Sequence, residues 1–212
     1  MGIIHKITQQ TKNRFLNLFE LEVTHKSGKD SRYFVASRAE KIEDLKISTK
    51  KNTPDGVIIF SIVKDDDGVE KVVLIRQYRY PIDGFIYEFP AGLVDSGEDF
   101  GQAAIRELKE ETGLVLNPIP VWEEYEKPYF TTIGMTDESC ATVYGYASGQ
   151  VTRNYQEDSE EIEVVLADKD EIRRILKEER VAIVCAYMLL HYLHDEEAFG
   201  FLKKKEDSED IV

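Results

Sequence analysis

The alternation of apolar and polar residues predicts a chain that begins with β-strands and ends with helices. Two turn signals, at residues 26–30 and 64–68, each separate a pair of β-prone runs and therefore predict two β-hairpins. Residues 38–53 are rich in charge, and we expect a connection or a short strand there. The β-prone runs comprise residues 15–24, 32–36, 57–63, 69–77, 121–125, 139–147 and 163–167.

Helical spacing of apolar residues appears in three later segments. In the first of them, Ala104, Ile105 and Leu108 are expected to face the interior, and Gly113 is expected to end the helix as its C-terminal cap. Strands mixed with a few helices are typical of an α+β layered domain, which is the fold class we predict. The helical segments comprise residues 100–112, 169–178 and 181–194.

The charge balance narrows the classes of partner. The chain has 212 residues, enough for one large domain or one domain with a small accessory unit. Its 27 basic and 41 acidic residues give a net charge of −14, which argues against binding to nucleic acid or to an anionic membrane.

No apolar run approaches the length of a membrane span, and the first residues lack a hydrophobic signal segment. The two cysteines, Cys140 and Cys185, favour a reduced, cytoplasmic protein.

Three glutamates lie close together in the first helical segment. Glu107, Glu110 and Glu111 share one face of a helix, where like charges repel one another. A divalent cation such as Mg²⁺ would remove this repulsion, and Mg²⁺ binds both carboxylates and phosphate-bearing substrates. The pattern therefore predicts a metal-binding helix that meets a phosphate. The alternative is a solvated acidic helix face, but the glycines on either side also fall in a regular pattern.

That regular pattern resembles the signature of the Nudix hydrolase family. It consists of Gly92, five residues, Glu98, seven residues and then the run 106–114, Arg-Glu-Leu-Lys-Glu-Glu-Thr-Gly-Leu. The resemblance covers residues 50–200 approximately. It implies a mixed β-sheet sandwiched between helices, with the signature forming a loop, a helix and a loop. We expect a Nudix hydrolase domain at 49–212 and a small N-terminal β-rich unit at 1–48.

Two further segments resemble the ADP-ribose pyrophosphatase branch of that family. Residues 74–80 read Leu-Ile-Arg-Gln-Tyr-Arg-Tyr, and residues 88–92 read Glu-Phe-Pro-Ala-Gly. In this branch the N-terminal β-unit is exchanged between two subunits and helps to enclose the nucleoside, so the resemblance implies a homodimer formed through residues 1–48. One departure is Ile133, which stands where the branch often has a proline before Gly134, and it leaves the substrate open.

The resemblance also implies an activity and a set of metal ligands. It implies hydrolysis of a nucleoside diphosphate linked to a group X, first of all ADP-ribose to AMP and ribose 5-phosphate, with Mg²⁺ or alternatively Mn²⁺. Glu107 and Glu111 would be the leading ligands, joined by Glu110 and the carbonyl oxygen of Ala91. Arg106 would pair with a neighbouring glutamate in the catalytic machinery. Glu98 would support the loop.

Substrate contacts are expected from the second motif and from a later turn. Arginine suits phosphate oxygens because its planar group donates several hydrogen bonds. Arg76 and Arg79 are three apart, so they lie on opposite faces of an ideal strand, and we favour Arg79 for the substrate. Surface charge is the alternative for either. Glu88 and Gly134 complete the predicted substrate-binding set.

The general base of this branch usually comes from an acidic loop before a late strand. Here that loop corresponds to residues 156–164, and Glu160 is our first choice for the base or for a further metal ligand. Asp158 and Glu157 are the alternatives. A merely solvated loop would be the simpler interpretation of so many acids.

Two other functions stay open at this point. A Nudix enzyme of the same fold could act on a different nucleotide sugar or on a nucleoside triphosphate, and Ile133 keeps that possibility open. A non-catalytic nucleotide-sensing module would keep the fold without turnover, but the intact signature argues against it.

Overall fold

The computed structural model describes residues 1–65, 67–122, 125–156, 161–195 and 197–202. The strands are β1 Ile3–Gln9, β2 Asn17–Thr24, β3 Asp30–Ser37, β4 Gly56–Lys64, β5 Glu70–Arg79, β6 Gly84–Glu88, β7 Ala91–Leu93, β8 Val115–Pro118, β9 Tyr129–Phe130, β10 Ser139–Ser148 and β11 Ile162–Ala167. The α-helices are α1 Lys46–Thr49, α2 Phe100–Thr112, α3 Lys169–Glu178 and α4 Ile183–His194.

One compact unit comprises residues 1–56 and 127–141. Its sheet has the order β1-β2-β3, with antiparallel pairing throughout. Phe19 and Leu21 on β2 pack with Leu45 to form its core. The predicted hairpin is therefore confirmed. Of the two alternatives predicted for residues 38–53, the short strand is wrong. A 3₁₀ turn and α1 lie in that stretch, which connects β3 to β4.

Segment 127–141 joins this unit through polar contacts. The hydroxyl of Tyr33 donates to the carbonyl of Gly134 at 2.6 Å. Arg38 forms an ion pair with Glu138 at 2.9 Å. These contacts explain why residues far apart in sequence fold together here.

The other unit comprises residues 57–126 and 142–212. Its sheet follows the order β11-β5-β4-β10-β8, with β6 paired to β5 and β7 paired to β4. On β4, Val57 and Ile59 pack toward α2, whereas Phe60 and Ile62 pack toward α3 and α4. Because side chains alternate along a strand, one strand serves both faces of the sheet. This arrangement confirms the predicted α+β class, with a sheet between helices.

The described residues of the stretch 121–125, where a strand was predicted, belong to no strand, and residues 123 and 124 lie outside the described residues. The strand in this region is β8, which ends at Pro118 and pairs with β10. Ile119 still donates its N–H to the carbonyl of Tyr144 at 2.9 Å, but Pro120 has no N–H with which to extend the pairing. Trp122 stacks on Tyr125 with ring centres 5.8 Å apart, and the N–H of Tyr125 donates to the carbonyl of Trp122 at 2.8 Å.

Helix α2 has the bounds that the apolar spacing predicts. It begins after Asp99, whose carboxylate accepts the N–H groups of Gly101 and Gln102 as an N-terminal cap. It ends at Gly113, which adopts a left-handed conformation with φ of 79° and donates its N–H to the carbonyl of Lys109.

The buried side of α2 fixes where its acidic side lies. Ala103, Ala104 and Leu108 are fully buried against the sheet, while Ile105 is only partly buried. The prediction is thus right for Ala104 and Leu108 and too strong for Ile105. Among the described residues, no helix is long and apolar enough to cross a membrane.

Candidate active site

Strand β7 approaches α2 so closely that a side chain at position 92 would overlap the carboxylate of Glu107. A Cβ atom placed on Gly92 would lie 1.9 Å from the carboxyl carbon of Glu107 and 2.1 and 2.3 Å from its two oxygens. The carboxylate of Glu107 therefore occupies the space that the missing side chain leaves. This contact sets the position of one of the predicted metal ligands.

Glu111 is held next to the same strand. Its side chain is buried, with the residue only 2% exposed. One carboxylate oxygen accepts the backbone N–H of Ala91 at 3.1 Å. Its own carbonyl accepts the side-chain amide of Gln156 at 2.6 Å. A buried carboxylate is costly unless it is well bonded, so these contacts mark Glu111 as a fixed part of the site.

Arg106 joins the acidic side chains of the signature. Its guanidinium donates to Glu98 at 2.9 and 3.1 Å, to Glu107 at 2.7 Å and to Glu110 at 3.1 Å. It also donates to the carbonyl of Leu93 at 3.0 Å. The predicted pairing of Arg106 with neighbouring glutamates is therefore seen in the geometry.

These bonds change the titration of both partners. The hydrogen bond to Glu98 is the chief cause that raises the pKa of Arg106 above its ordinary value, followed by the bond to Glu107. The same bond to Arg106, with a second from the N–H of Asp95, lowers the pKa of Glu98. Both groups therefore stay charged near neutral pH, and Glu98 links Arg106 to the loop as expected.

The chemistry of the donors fits a hard divalent cation. Glu107, Glu110 and Glu111 offer carboxylate oxygens, which are the ligands that Mg²⁺ prefers. Within this set, Arg106 forms ion pairs with Glu107 and Glu110 and brings one positive charge beside the three carboxylates. No group of three or more histidine, cysteine, aspartate or glutamate side chains among the described residues is already arranged as a metal cage.

The two arginines of β5 lie on opposite faces of the sheet. Val73 packs toward α2 and Leu74 packs toward α3 and α4. By alternation, Arg79 lies on the face that carries α2, and Arg76 lies on the other. Arg79 donates to Glu88 at 2.7 Å.

Arg76 has partners of its own on the opposite face. It forms an ion pair with Glu163 at 3.0 Å, and its guanidinium lies 4.0 Å from the centre of the Phe85 ring. Both partners belong to strands that pair with β5, so these contacts support a structural role for Arg76.

The other predicted site residues do not lie in the described part of the unit that contains α2. Gly134 belongs to the unit formed by 1–56 and 127–141, where its carbonyl accepts the hydroxyl of Tyr33. Glu157, Asp158 and Glu160 lie outside the described residues.

Sequence reasoning missed Gln156. Its contact with Glu111 joins residues 45 positions apart. A single glutamine before an acidic run carries no signal by itself, because the contact depends on where the chain returns to the end of α2.

The site thus consists of a carboxylate-bearing helix that follows a glycine turn and packs on a sheet between helices. The family model of the NUDIX domain matches residues 52–187. The chain therefore belongs to the Nudix family.

Two relatives place the chain within this family. It is 41% identical over 120 residues to a Caenorhabditis elegans protein provisionally named nudix hydrolase 2, a match that covers 54% of this chain and 52% of the relative. It is 52% identical over 60 residues to the ADP-ribose pyrophosphatase of Saccharomyces cerevisiae, which covers 28% of this chain and 26% of that protein. The chain thus spans about half of the first relative's length and about a quarter of the second's.

A solved structure is similar over nearly the whole chain. The crystal structure of an ADP compounds hydrolase superposes with a TM-score of 0.65 at 17% sequence identity, covering 91% of this chain and 92% of that one. At this identity the likeness shows the fold, and it confirms the Nudix architecture.

The contact between Gly92 and Glu107 yields a first prediction. We expect Gly92→Ala to leave the protein folded, because the flexible end of Glu107 can move aside. The displaced carboxylate should lower kcat/KM by about 10²-fold, the scale for a misplacement of about 1 Å. Thermal unfolding and steady-state kinetics measure the two effects.

Gly200→Ala is the matched control, because its nearest contact would be an ordinary 3.5 Å to the Cβ of Glu197. Full activity in Gly92→Ala would show that the position of Glu107 does not matter.

Proposed function

We propose that this protein hydrolyses the pyrophosphate bond of a nucleoside diphosphate linked to a group X, with Mg²⁺ or alternatively Mn²⁺. ADP-ribose is the first substrate candidate, and its hydrolysis consumes one water and yields AMP and ribose 5-phosphate. The observation that carries the proposal is the signature helix, on which Glu107 and Glu111 are held by Gly92 and Ala91. The name of the yeast relative supports the substrate class.

The protein residues have separate tasks in this proposal. Glu107, Glu110, Glu111 and the carbonyl of Ala91 would hold the cation. When bound, the cation would offset the negative charge of the pyrophosphate. Arg106 keeps the carboxylates of Glu107 and Glu110 in place.

Substrate phosphate is assigned to Arg79 rather than to Arg76. Arg79 lies on the face of the sheet that carries α2, and its partner Glu88 fixes the direction of its guanidinium. Arg76 lies on the other face of the sheet, where it forms an ion pair with Glu163. We also keep Gly134 as a candidate for contact with the substrate.

A second candidate is hydrolysis of another nucleotide sugar or a nucleoside triphosphate. Ile133 favours it, since the branch often has a proline there, and its side chain is exposed. A sensing module without turnover is less well supported, because the acidic residues of the signature are all present and Arg106 forms ion pairs with Glu98, Glu107 and Glu110.

A substrate panel tests the proposal. ADP-ribose, other nucleoside-diphosphate sugars and nucleoside triphosphates are incubated with the protein and Mg²⁺, and the products are identified by mass spectrometry. We expect AMP and ribose 5-phosphate from ADP-ribose. Preferential hydrolysis of a triphosphate would favour the second candidate, and no turnover of any compound would favour a sensing module.

Glu111→Gln provides a second prediction. Glutamine keeps an oxygen that can accept the N–H of Ala91, so the fold should persist. One negative ligand is lost, so we expect turnover to fall below detection at ordinary Mg²⁺ concentration. Circular dichroism and product assays measure both properties.

Glu178→Gln on the exposed side of α3 is the control for loss of one glutamate charge. Near-wild-type turnover by Glu111→Gln at saturating Mg²⁺ would contradict the assignment of Glu111.

The general base is proposed within the acidic loop, with Glu160 first and Asp158 and Glu157 as alternatives. Glu160→Gln should lower kcat by about 10²- to 10⁴-fold, the range for loss of a general base, with little change in KM. Asp158→Asn and Glu157→Gln are measured beside it. If another of the three carries the effect, the choice of Glu160 fails. If none does, the base lies elsewhere, and Glu110 is the next candidate.

We further propose a homodimer formed through residues 1–48. The support is a set of large apolar side chains that the unit leaves exposed, since such patches mark interaction surfaces. The exposed apolar side chains are Ile3, Ile4, Phe15, Leu16, Leu18 and Phe34.

Light scattering checks the dimer. The full chain should show twice its mass of 24.4 kDa, and the double variant Phe15→Asp, Leu16→Asp should shift toward monomer with a raised KM. Ile183→Asp on α4, where the side chain is 70% exposed, is the control and should stay dimeric. A monomeric wild-type protein would refute the proposal.

A cytoplasmic location is also proposed. Cys140 and Cys185 are both free thiols, as expected for a protein from a reducing compartment. Burial is the main cause that raises the pKa of Cys140 to about 11, so this thiol stays protonated near neutral pH.

A further inference from the structure

The C-terminal end of α2 is bonded to residues 150–156. The carbonyl groups in the last turn of a helix have no donors within that helix. The N–H of Thr152 donates to the carbonyl of Thr112 at 3.0 Å. The side-chain amide of Gln156 donates to the carbonyl of Glu111 at 2.6 Å. Two of the open carbonyls are therefore satisfied from one short segment.

This segment lies directly on the end of the helix. A Cβ atom on Gly113 would lie 2.3 Å from the methyl carbon of Thr152 and 3.1 Å from the carbonyl oxygen of Gln150. Lys109 places its ammonium group 5.4 Å from the centre of the Tyr155 ring. The close approach brings Gln156, which is partly buried, within reach of Glu111.

Glu111 is consequently held at two points by different parts of the chain. Ala91 on β7 donates to its carboxylate, and Gln156 donates to its carbonyl. The first bond fixes the side chain and the second fixes the backbone that carries it. A carboxylate that is fixed before the cation arrives loses less freedom on binding.

We propose that Gln156 is a positioning residue for the metal site, acting through Glu111. This inference depends on the proposed function, in which Glu111 binds the cation. The essential property of Gln156 is its N–H donor, which the carbonyl of Glu111 accepts. Loss of a group that orients a metal ligand typically costs about 10- to 100-fold in metal affinity or activity.

Three variants separate the donor from the rest of the side chain. Gln156→Glu keeps the length but has no donor near neutral pH, and it adds a negative charge at a helix C-terminus, which is unfavourable. Gln156→Ala removes the donor and the packing together. Gln156→Lys restores a donor with a charge that suits this helix end. Gln150→Ala is the control, because that residue is exposed in the same segment.

The experiment measures binding of Mn²⁺ alone to each full-length protein by electron paramagnetic resonance. Turnover is then titrated with Mg²⁺, and thermal unfolding reports the folded state. We expect Gln156→Glu and Gln156→Ala to weaken Mn²⁺ binding about 10- to 100-fold. Their kcat at saturating Mg²⁺ should stay close to wild type, and Gln156→Lys and Gln150→Ala should bind Mn²⁺ as the wild type does.

The outcomes separate this inference from the proposed function. Wild-type Mn²⁺ affinity in Gln156→Glu would overturn the role of Gln156 alone, and so would a Gln156→Lys variant as weak as Gln156→Ala. If Gln156→Ala does not fold, Gln156→Glu and Gln156→Lys decide the question. A wild-type protein that binds no Mn²⁺ would overturn the metal site and the inference together.

Discussion

The candidate site depends on how closely β7 packs against α2. The Cα atom of Gly92 lies where any larger residue would displace the carboxylate of Glu107. The neighbouring residue Ala91 bonds to the buried carboxylate of Glu111. Two like charges one turn apart are thus fixed by a short stretch of backbone. Such an arrangement is unfavourable in isolation, and the helix tolerates it because Arg106 and backbone donors compensate part of the charge.

The rest of the second unit supports this contact. Leu108 and the two small residues Ala103 and Ala104 bring α2 close to the sheet, because small side chains allow the helix backbone to approach. Asp99 begins the helix and Gly113 ends it, so its acidic face has a defined rotation and length. The close packing of the core therefore determines the direction in which Glu107 and Glu111 point.

Much of the structure around α2 could be predicted from the sequence, because it follows from patterns among residues that are close together in the chain. The bounds of α2 follow from a regular run of apolar residues that ends at Gly113, and the opposite faces of Arg76 and Arg79 follow from strand alternation. The strand expected at 121–125 is not seen in the described residues of that stretch, because Pro120 has no N–H with which to extend the pairing of β8. The bond between Gln156 and Glu111 could not be predicted, because it depends on the return of a distant segment to the end of α2.

In the function that we propose, the carboxylates of α2 hold a metal ion that supports the attack of water on a pyrophosphate. The most direct measurement is hydrolysis of ADP-ribose in H₂¹⁸O, with and without EDTA, followed by mass spectrometry of both products. We expect one of the two monophosphates to gain a single ¹⁸O atom in its phosphate group, and we expect EDTA to abolish the reaction. Products without ¹⁸O in phosphate, or turnover that persists in EDTA, would contradict the proposed function.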